Sequence, residues 1–223
     1  MFDDFKYLFA YTVPLATFFS IFSDGILTFI TPIYTFIFIP TLEAILKERE
    51  TKTIYSEKQI QNKLTNKIFD YLLYGNIPMV FILLISGIYI LSNNSLMTYE
   101  AIGISLSIGI LLATNAINVA HELGHRKSIL DRTLSKILLI PCLYMHFYLE
   151  HNFGHHKNVA TPEDPATSRY NQTVYSFWIT SVFNQYLNAW KIQKDILTRS
   201  KKDFFSFQNE MIWYHLIQFV YLS

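Results

Sequence analysis

An all-α, multi-span membrane helical bundle with histidine boxes at its cytoplasmic face is the fold class that the sequence predicts, and three observations predict it. The 223 residues are 51% apolar and 17% aromatic but only 16% charged, too greasy for an ordinary soluble domain. Apolar runs recur at lengths that match a bilayer. Six of the seven histidines fall between His121 and His156. Eighteen basic residues against seventeen acidic ones leave a net charge of +1, which excludes a basic field for nucleic acid. The single cysteine, Cys142, excludes an intramolecular disulfide or a thiolate metal cluster. Site chemistry must therefore come from histidine, carboxylate and amide groups.

Taken in order, the apolar runs 5–22 and 26–42 are separated by Ser23, Asp24 and Gly25, a polar turn small enough to reverse a helix, and read as a transmembrane hairpin. Asp3 and Asp4 spoil the basic start that a signal peptide needs. Further spans are predicted at 71–91 and 101–120, close to the roughly 20 residues that cross about 30 Å of hydrocarbon. Cytoplasmic loops collect Lys and Arg, and Lys47, Arg49, Lys52, Lys58, Lys63 and Lys67 all lie between the second and third spans. Both ends of the four-span unit then face the cytoplasm. Arg126, Lys127, Arg132 and Lys136 agree with that side. Ala101, Ser105, Gly109 and Ala113 form a small-residue row suited to close helix packing. The stretch 134–149, interrupted by Pro141, is read as a short helical excursion at the membrane. A single crossing there would put the two histidine groups on opposite faces. A partial span begins at Met211, and the whole of 1–223 is read as one membrane domain.

The histidines carry the chemistry. Positions four apart on a helix differ by about 40° in azimuth and lie about 6 Å apart. His121 with His125, and His151 with His155, can each point two imidazoles at one ion. His156 extends the second box, so that His121, His125, His151, His155 and His156 are the candidate ligands. Asn115, Asn118, Glu122 and His125 form a polar stripe on an apolar helix, the pattern of a functional site at membrane depth or of hydrogen bonds between helices. Glu122, Glu150, Asp164, Asn118 and His146 are candidates to orient an imidazole, and Glu163 is a further carboxylate nearby. His146 alternatively packs, and His215 reads as structural.

Imidazole accepts zinc, copper, nickel and iron alike. His121-Glu122-Leu123-Gly124-His125 matches the zinc-protease helix, two imidazoles around a glutamate base. That motif uses only two of the clustered histidines. Five imidazoles overfill one tetrahedral ion and begin to fill two, which suits iron and oxygen chemistry better.

Two segments carry a resemblance to a known family. Residues 118–127, Asn-Val-Ala-His-Glu-Leu-Gly-His-Arg-Lys, and 150–165, Glu-His-Asn-Phe-Gly-His-His-Lys-Asn-Val-Ala-Thr-Pro-Glu-Asp-Pro, resemble the integral-membrane di-iron alkane 1-monooxygenases within the wider fatty-acid desaturase and hydroxylase group. The Tyr-Ser-Phe at 175–177 and the Ser-Phe-Gln-Asn-Glu at 206–210 are similar too. The resemblance implies two non-haem iron ions held by His121, His125, His151, His155 and His156. It also implies rubredoxin as electron donor, and oxidation of the terminal methyl of an apolar chain with dioxygen in a bacterial inner membrane, with the centre facing the cytoplasm. The family also carries later histidine boxes, one of the Leu-Gln-Arg-His-Ser-Asp-His-His kind, and nothing here matches them. The expectation is an N-terminal fragment with little hydroxylase activity by itself. Alternatives are a fatty-acid desaturase or hydroxylase, a xenobiotic methyl-group monooxygenase, a membrane zinc metalloprotease, and a non-enzymatic metal-binding or transport protein.

Overall fold

A computed structural model describes residues 2–46, 56–57, 61, 63 and 66–223. It divides the chain into two compact units, Met1–Val119 and Ala120–Ser223. The described residues are helical, without strands. Lys47, Arg49, Lys52 and Lys58, which carry much of the expected positive loop, lie outside the described residues.

In the first unit, tight helical turns over Phe2–Tyr11 lead into α1 (Thr12–Ile21). Gly25 then takes a φ of +64°, a left-handed conformation that glycine adopts without strain, and starts α2 (Gly25–Leu46). This is the turn expected at Ser23 to Gly25. α3 (Ile68–Asn93) and α4 (Thr98–Gly124) follow, and α2, α3 and α4 are each long and apolar enough to cross a membrane. The Glu100 carboxylate accepts from the backbone N–H of Met97 at 2.8 Å and of Gly25 at 2.6 Å, joining the start of α4 to the turn before α2.

Much of the polarity of this unit lies inside and much of its apolar surface outside, as a lipid solvent demands. Thr17, Ser20, Thr28, Thr31, Asn76, Ser107 and Asn115 are buried, whereas Phe9, Ile26, Phe36 and Ile82 are exposed. Ser20 and Thr31 share a hydrogen bond of 3.0 Å between α1 and α2. Asn115 donates to Asn76 Oδ1 at 2.8 Å and to the Ala10 carbonyl at 3.1 Å. Asn115 is thus a helix-to-helix tie, and Asn118 is exposed. The expected small-residue row also needs correction. Ser105, Gly109 and Ala113 are exposed, and a Cβ at Gly109 would meet nothing within 4 Å among the described residues. Close approach falls instead on Gly103, where a Cβ would press against Thr28 and Phe29, and on Ser107, which donates to the Thr28 carbonyl at 3.1 Å. α4 has more than one run of small side chains, and its packing partner selects among them.

In the second unit, α5 (Ile129–Leu139) is capped by Ser128, whose Oγ accepts from the Asp131 N–H. Pro141 lies beyond its end, and Leu143 has a φ of +51°, so the stretch 134–149 is a helix followed by a chain reversal rather than one helix. α6 (147–158) follows, then α7 (Val174–Arg199) capped by Thr173, and α8 (Glu210–Leu222) capped by Asn209. Lys136 of α5 reaches Glu210 of α8 at 2.7 Å and lies 4.5 Å from the centre of the Tyr148 ring of α6.

Candidate metal centre

His121 sits in the last turn of α4, with His125 just past its end. Their rings are 4.6 Å apart. The Ser135 hydroxyl of α5 donates to the Ala120 carbonyl at 2.6 Å, and a Cβ at Gly124 would come within 3.1 Å of that hydroxyl oxygen, so α5 backs this segment closely.

The second group comes from α6, whose middle turn, His151–His155, is wound with π geometry. In an α-helix, residues five apart diverge by about 140°. The wider i to i+5 turn brings them back over one another, and such turns recur at functional sites. Here it unites His151 with His156: their Nε2 atoms are 3.0 Å apart, and they lie 3.1 and 3.2 Å from Nε2 of His125. With His121, whose ring is 4.4 Å from that of His151, they form a group whose ligand atoms all lie within 4.8 Å of one another.

The donor set fits a metal ion. Nitrogens about 2.0–2.1 Å from one tetrahedral ion are about 3.3 Å apart, close to the observed triangle. Three neutral imidazoles cannot satisfy one another's Nε2 lone pairs by hydrogen bonding alone, whereas a cation satisfies all of them. Burial, followed by repulsion from the neighbouring imidazoles, pushes His151 down to about 3 and lowers His156. Both rings are therefore neutral at pH 7, the form that ligates. Phe147, one α-helical turn before His151, stacks on that ring at 4.7 Å and lies 6.3 Å from His121.

His155, the fifth candidate ligand, stands beside the group. Its ring lies 5.2 Å from that of His151, and Nδ1 donates to Asp164 Oδ2 at 2.9 Å. Asp164 also accepts from the Thr167 hydroxyl and, at 3.0 Å, from the Ala166 N–H. Burial raises this carboxyl, but these bonds and His155 outweigh it and hold the group below its ordinary value. Glu150 is buried and raised by that burial, with Asn188 donating to it at 3.2 Å. Gly154 lets α6 pass α7: a Cβ there would sit 2.8 Å from Glu150, Asn188 and Ile192.

Other candidates lie apart. Glu122 is exposed and pairs with Arg126 at 3.5 Å, and Glu163 is exposed. His146 is buried between Tyr144 and Tyr186, its ring 4.8 and 5.3 Å from theirs, and packs rather than joining the group. Sequence reasoning missed Phe147, Thr167 and Asn188. Phe147 precedes a candidate ligand by four residues, a helical spacing that could have flagged it. Asn188 had no local signal.

Long apolar helices with a convergent set of imidazoles define an integral membrane protein with a histidine site that can bind metal. Residues 98–222 match the family model for fatty acid desaturases, and the chain belongs to that family. It is 34% identical over 174 residues to an alkane 1-monooxygenase of Pseudomonas putida, covering 78% of this chain and 42% of that relative. It is 36% identical over 182 residues to an alkane 1-monooxygenase of Acinetobacter baylyi, covering 81% and 44%. A more distant relative is the xylene/toluene monooxygenase hydroxylase component XylM of Pseudomonas putida, 29% identical over 115 residues, covering 52% and 31%. The chain thus spans less than half the length of these curated relatives.

Proposed function

We propose that this chain forms part of a membrane di-iron monooxygenase that hydroxylates the terminal carbon of an alkane or similar apolar chain. The observation that carries this reading is the convergence of His121, His125, His151 and His156 from two separated stretches of sequence. When bound, two irons would supply the dioxygen chemistry needed to break an unactivated C–H bond. His121, His125, His151 and His156 would hold metal, with His155 the fifth ligand and Asp164 fixing its tautomer through Nδ1. Phe147 covers one face of His151 and would help to hold its ring in place. His125 and His156 are exposed, which leaves room for the further ligands that a complete di-iron centre takes.

An apolar cavity of about 580 Å³ in the first unit, lined by Tyr11, Pro14, Phe18, Pro78 and Met79 among others, supports an apolar guest arriving through lipid. Rubredoxin is the proposed electron donor, at a cytoplasm-facing centre in a bacterial inner membrane. The likeness to XylM favours methyl-group oxidation of methylbenzenes as the second reading. The zinc-protease reading loses its base, because Glu122 is exposed and engaged by Arg126.

The test is product analysis. Membranes carrying the protein, given dioxygen, rubredoxin and its reductase, are fed octane, octanoic acid and p-xylene. Octanol from octane, with iron in the purified protein, is the expected result for a full-length protein that carries these residues, whereas the 223-residue chain alone is expected to give little. Desaturated or hydroxylated fatty acid as the only product would move the protein to the other branch of its family. Zinc in place of iron would remove the reading altogether.

A further inference from the structure

We propose that Tyr186 is a one-electron donor to the histidine centre, releasing its phenolic proton to His215 when an oxidised centre draws the electron. Ring contacts lead from the centre to this pair. Phe147 stacks on His151 at 4.7 Å, Tyr144 on Phe147 at 5.2 Å, His146 meets Tyr144 edge to face at 4.8 Å, and Tyr186 meets His146 in the same manner at 5.3 Å. All of these residues belong to the second unit. Short gaps between packed rings let an electron tunnel over this span, with the phenols as the groups on it that oxidise readily.

Hydrogen bonding selects the phenol at which oxidation can rest. A phenol that loses an electron becomes a strong acid, so it needs a base already in place. Tyr144 donates to the Gln185 amide oxygen at 2.7 Å, which is no base. Tyr186 faces a real one. Nδ1 of His215 lies 2.6 Å from the Met211 carbonyl, which can only accept, so Nδ1 carries the hydrogen and Nε2 holds a lone pair. Tyr186 donates to that Nε2 at 2.9 Å. His146, between the two phenols, is buried with no hydrogen-bond partner for Nε2 among the described residues, and burial followed by His215 pushes it down to about 4. It stays a neutral ring and adds no charge that would oppose oxidation of either neighbour.

The step balances. The oxidant would be a metal held by the histidine cluster after oxidation by dioxygen or peroxide, and it would take up one electron. Tyr186 loses that electron, its O–H bond breaks, and an N–H bond forms at Nε2 of His215. An electron from the reductant that serves the centre reverses the process. The consequence is a sink that removes an oxidising equivalent when no substrate is bound and spares the imidazole ligands. The source of the oxidant rests on the metal reading above, whereas the chemistry of the pair does not.

Two measurements separate them. In the purified chain without metal, photogenerated tris(bipyridine)ruthenium(III) is expected to oxidise Tyr186 by a route that depends on its internal base. Tyrosyl radical yield should fall at least about fivefold in Tyr186→Phe and in His215→Phe, and be unchanged in Tyr175→Phe, an exposed control on the same helix. Equal yields in wild type and Tyr186→Phe would overturn the proposal whatever the metal. In the iron-loaded chain, peroxide is expected to give a tyrosyl signal by electron paramagnetic resonance that is lost in Tyr186→Phe and retained in Tyr175→Phe. Iron bound without such a signal also overturns it. A chain that binds no iron but shows the ruthenium result keeps the redox pair and sinks the metal reading instead.

Discussion

Nδ1 of His155 lies 2.9 Å from Oδ2 of Asp164, a carboxylate with no exposed side-chain surface. A buried acceptor of this kind fixes which ring nitrogen carries the proton and leaves the other free to ligate. Asp164→Asn keeps the shape and removes the charge. It is expected to weaken metal binding about 10–100-fold, as loss of such a partner does elsewhere. Competition with a chelator measures this, and unchanged affinity would show that Asp164 serves the loop alone.

His151 is central to the group, with Nε2 close to those of both His125 and His156. His151→Ala and His155→Ala should each lower bound metal well below the level left in His215→Ala. Elemental analysis of purified variants decides it. Equal metal in all three would count against the ligand assignment.

Acid should act on the metal-free protein through its lowered imidazoles. His151 is pushed down to about 3 and His156 is also lowered, whereas an unfolded histidine titrates near about 6.5. Between those values the unfolded chain binds more protons than the folded one, so stability falls as pH drops below about 6.5. Asp164 has the opposite charge but acts in the same direction: its lowered pKa contributes stability above the ordinary carboxylate value, lost as pH falls through the folded one. Thermal unfolding in detergent should shift downward from pH 7 to pH 4.5. A midpoint independent of pH over that range would be the contrary result. Metal binding to His151 and His156 at pH 7 should release few protons, which calorimetry in two buffers can count.

Gly154 and Gly109 make a paired test of helix packing. A methyl group at 154 would sit 2.8 Å from three side chains, and one at 109 would meet nothing within 4 Å among the described residues. Gly154→Ala is expected to cost about 1–3 kcal/mol by overpacking. Gly109→Ala is expected to be neutral or to stabilise by up to about 1 kcal/mol through helix propensity. Unfolding midpoints of the two variants should therefore move differently, and equal shifts would refute the assigned packing faces.

Asn115→Leu removes the tie from α4 to Asn76 and to the Ala10 carbonyl. Interhelical hydrogen bonds in membranes contribute about 0.6 kcal/mol on average and at most about 1.7 kcal/mol. A loss in that range, with metal content unchanged, is the expected outcome. Loss of metal at equal stability would instead give Asn115 a role at the centre.

The hairpin turn at Gly25, the helices near 71–91 and 101–120 and the two histidine boxes were legible in the sequence, because run length, turn residues and histidine spacing are local signals. The reading went astray where a choice of face was needed. Ala101, Ser105, Gly109 and Ala113 repeat as regularly as Gly103 and Ser107, and only the contact with Thr28 and Phe29 distinguishes the rows. The stripe of Asn115 and Asn118 is compatible with a functional site or with hydrogen bonds between helices, and Asn115 is buried in such bonds whereas Asn118 is exposed.

By itself, the sequence determined a membrane-embedded helical chain, its family and the imidazoles available for a metal, since these follow from composition and from motifs written along a single segment. The tertiary structure decided which imidazoles meet. Helical periodicity pairs His151 with His155, but the π turn pairs His151 with His156 and leaves His155 to Asp164. That turn lies where α7 passes α6 closely at Gly154, a contact between segments far apart in sequence that no window of neighbouring residues contains.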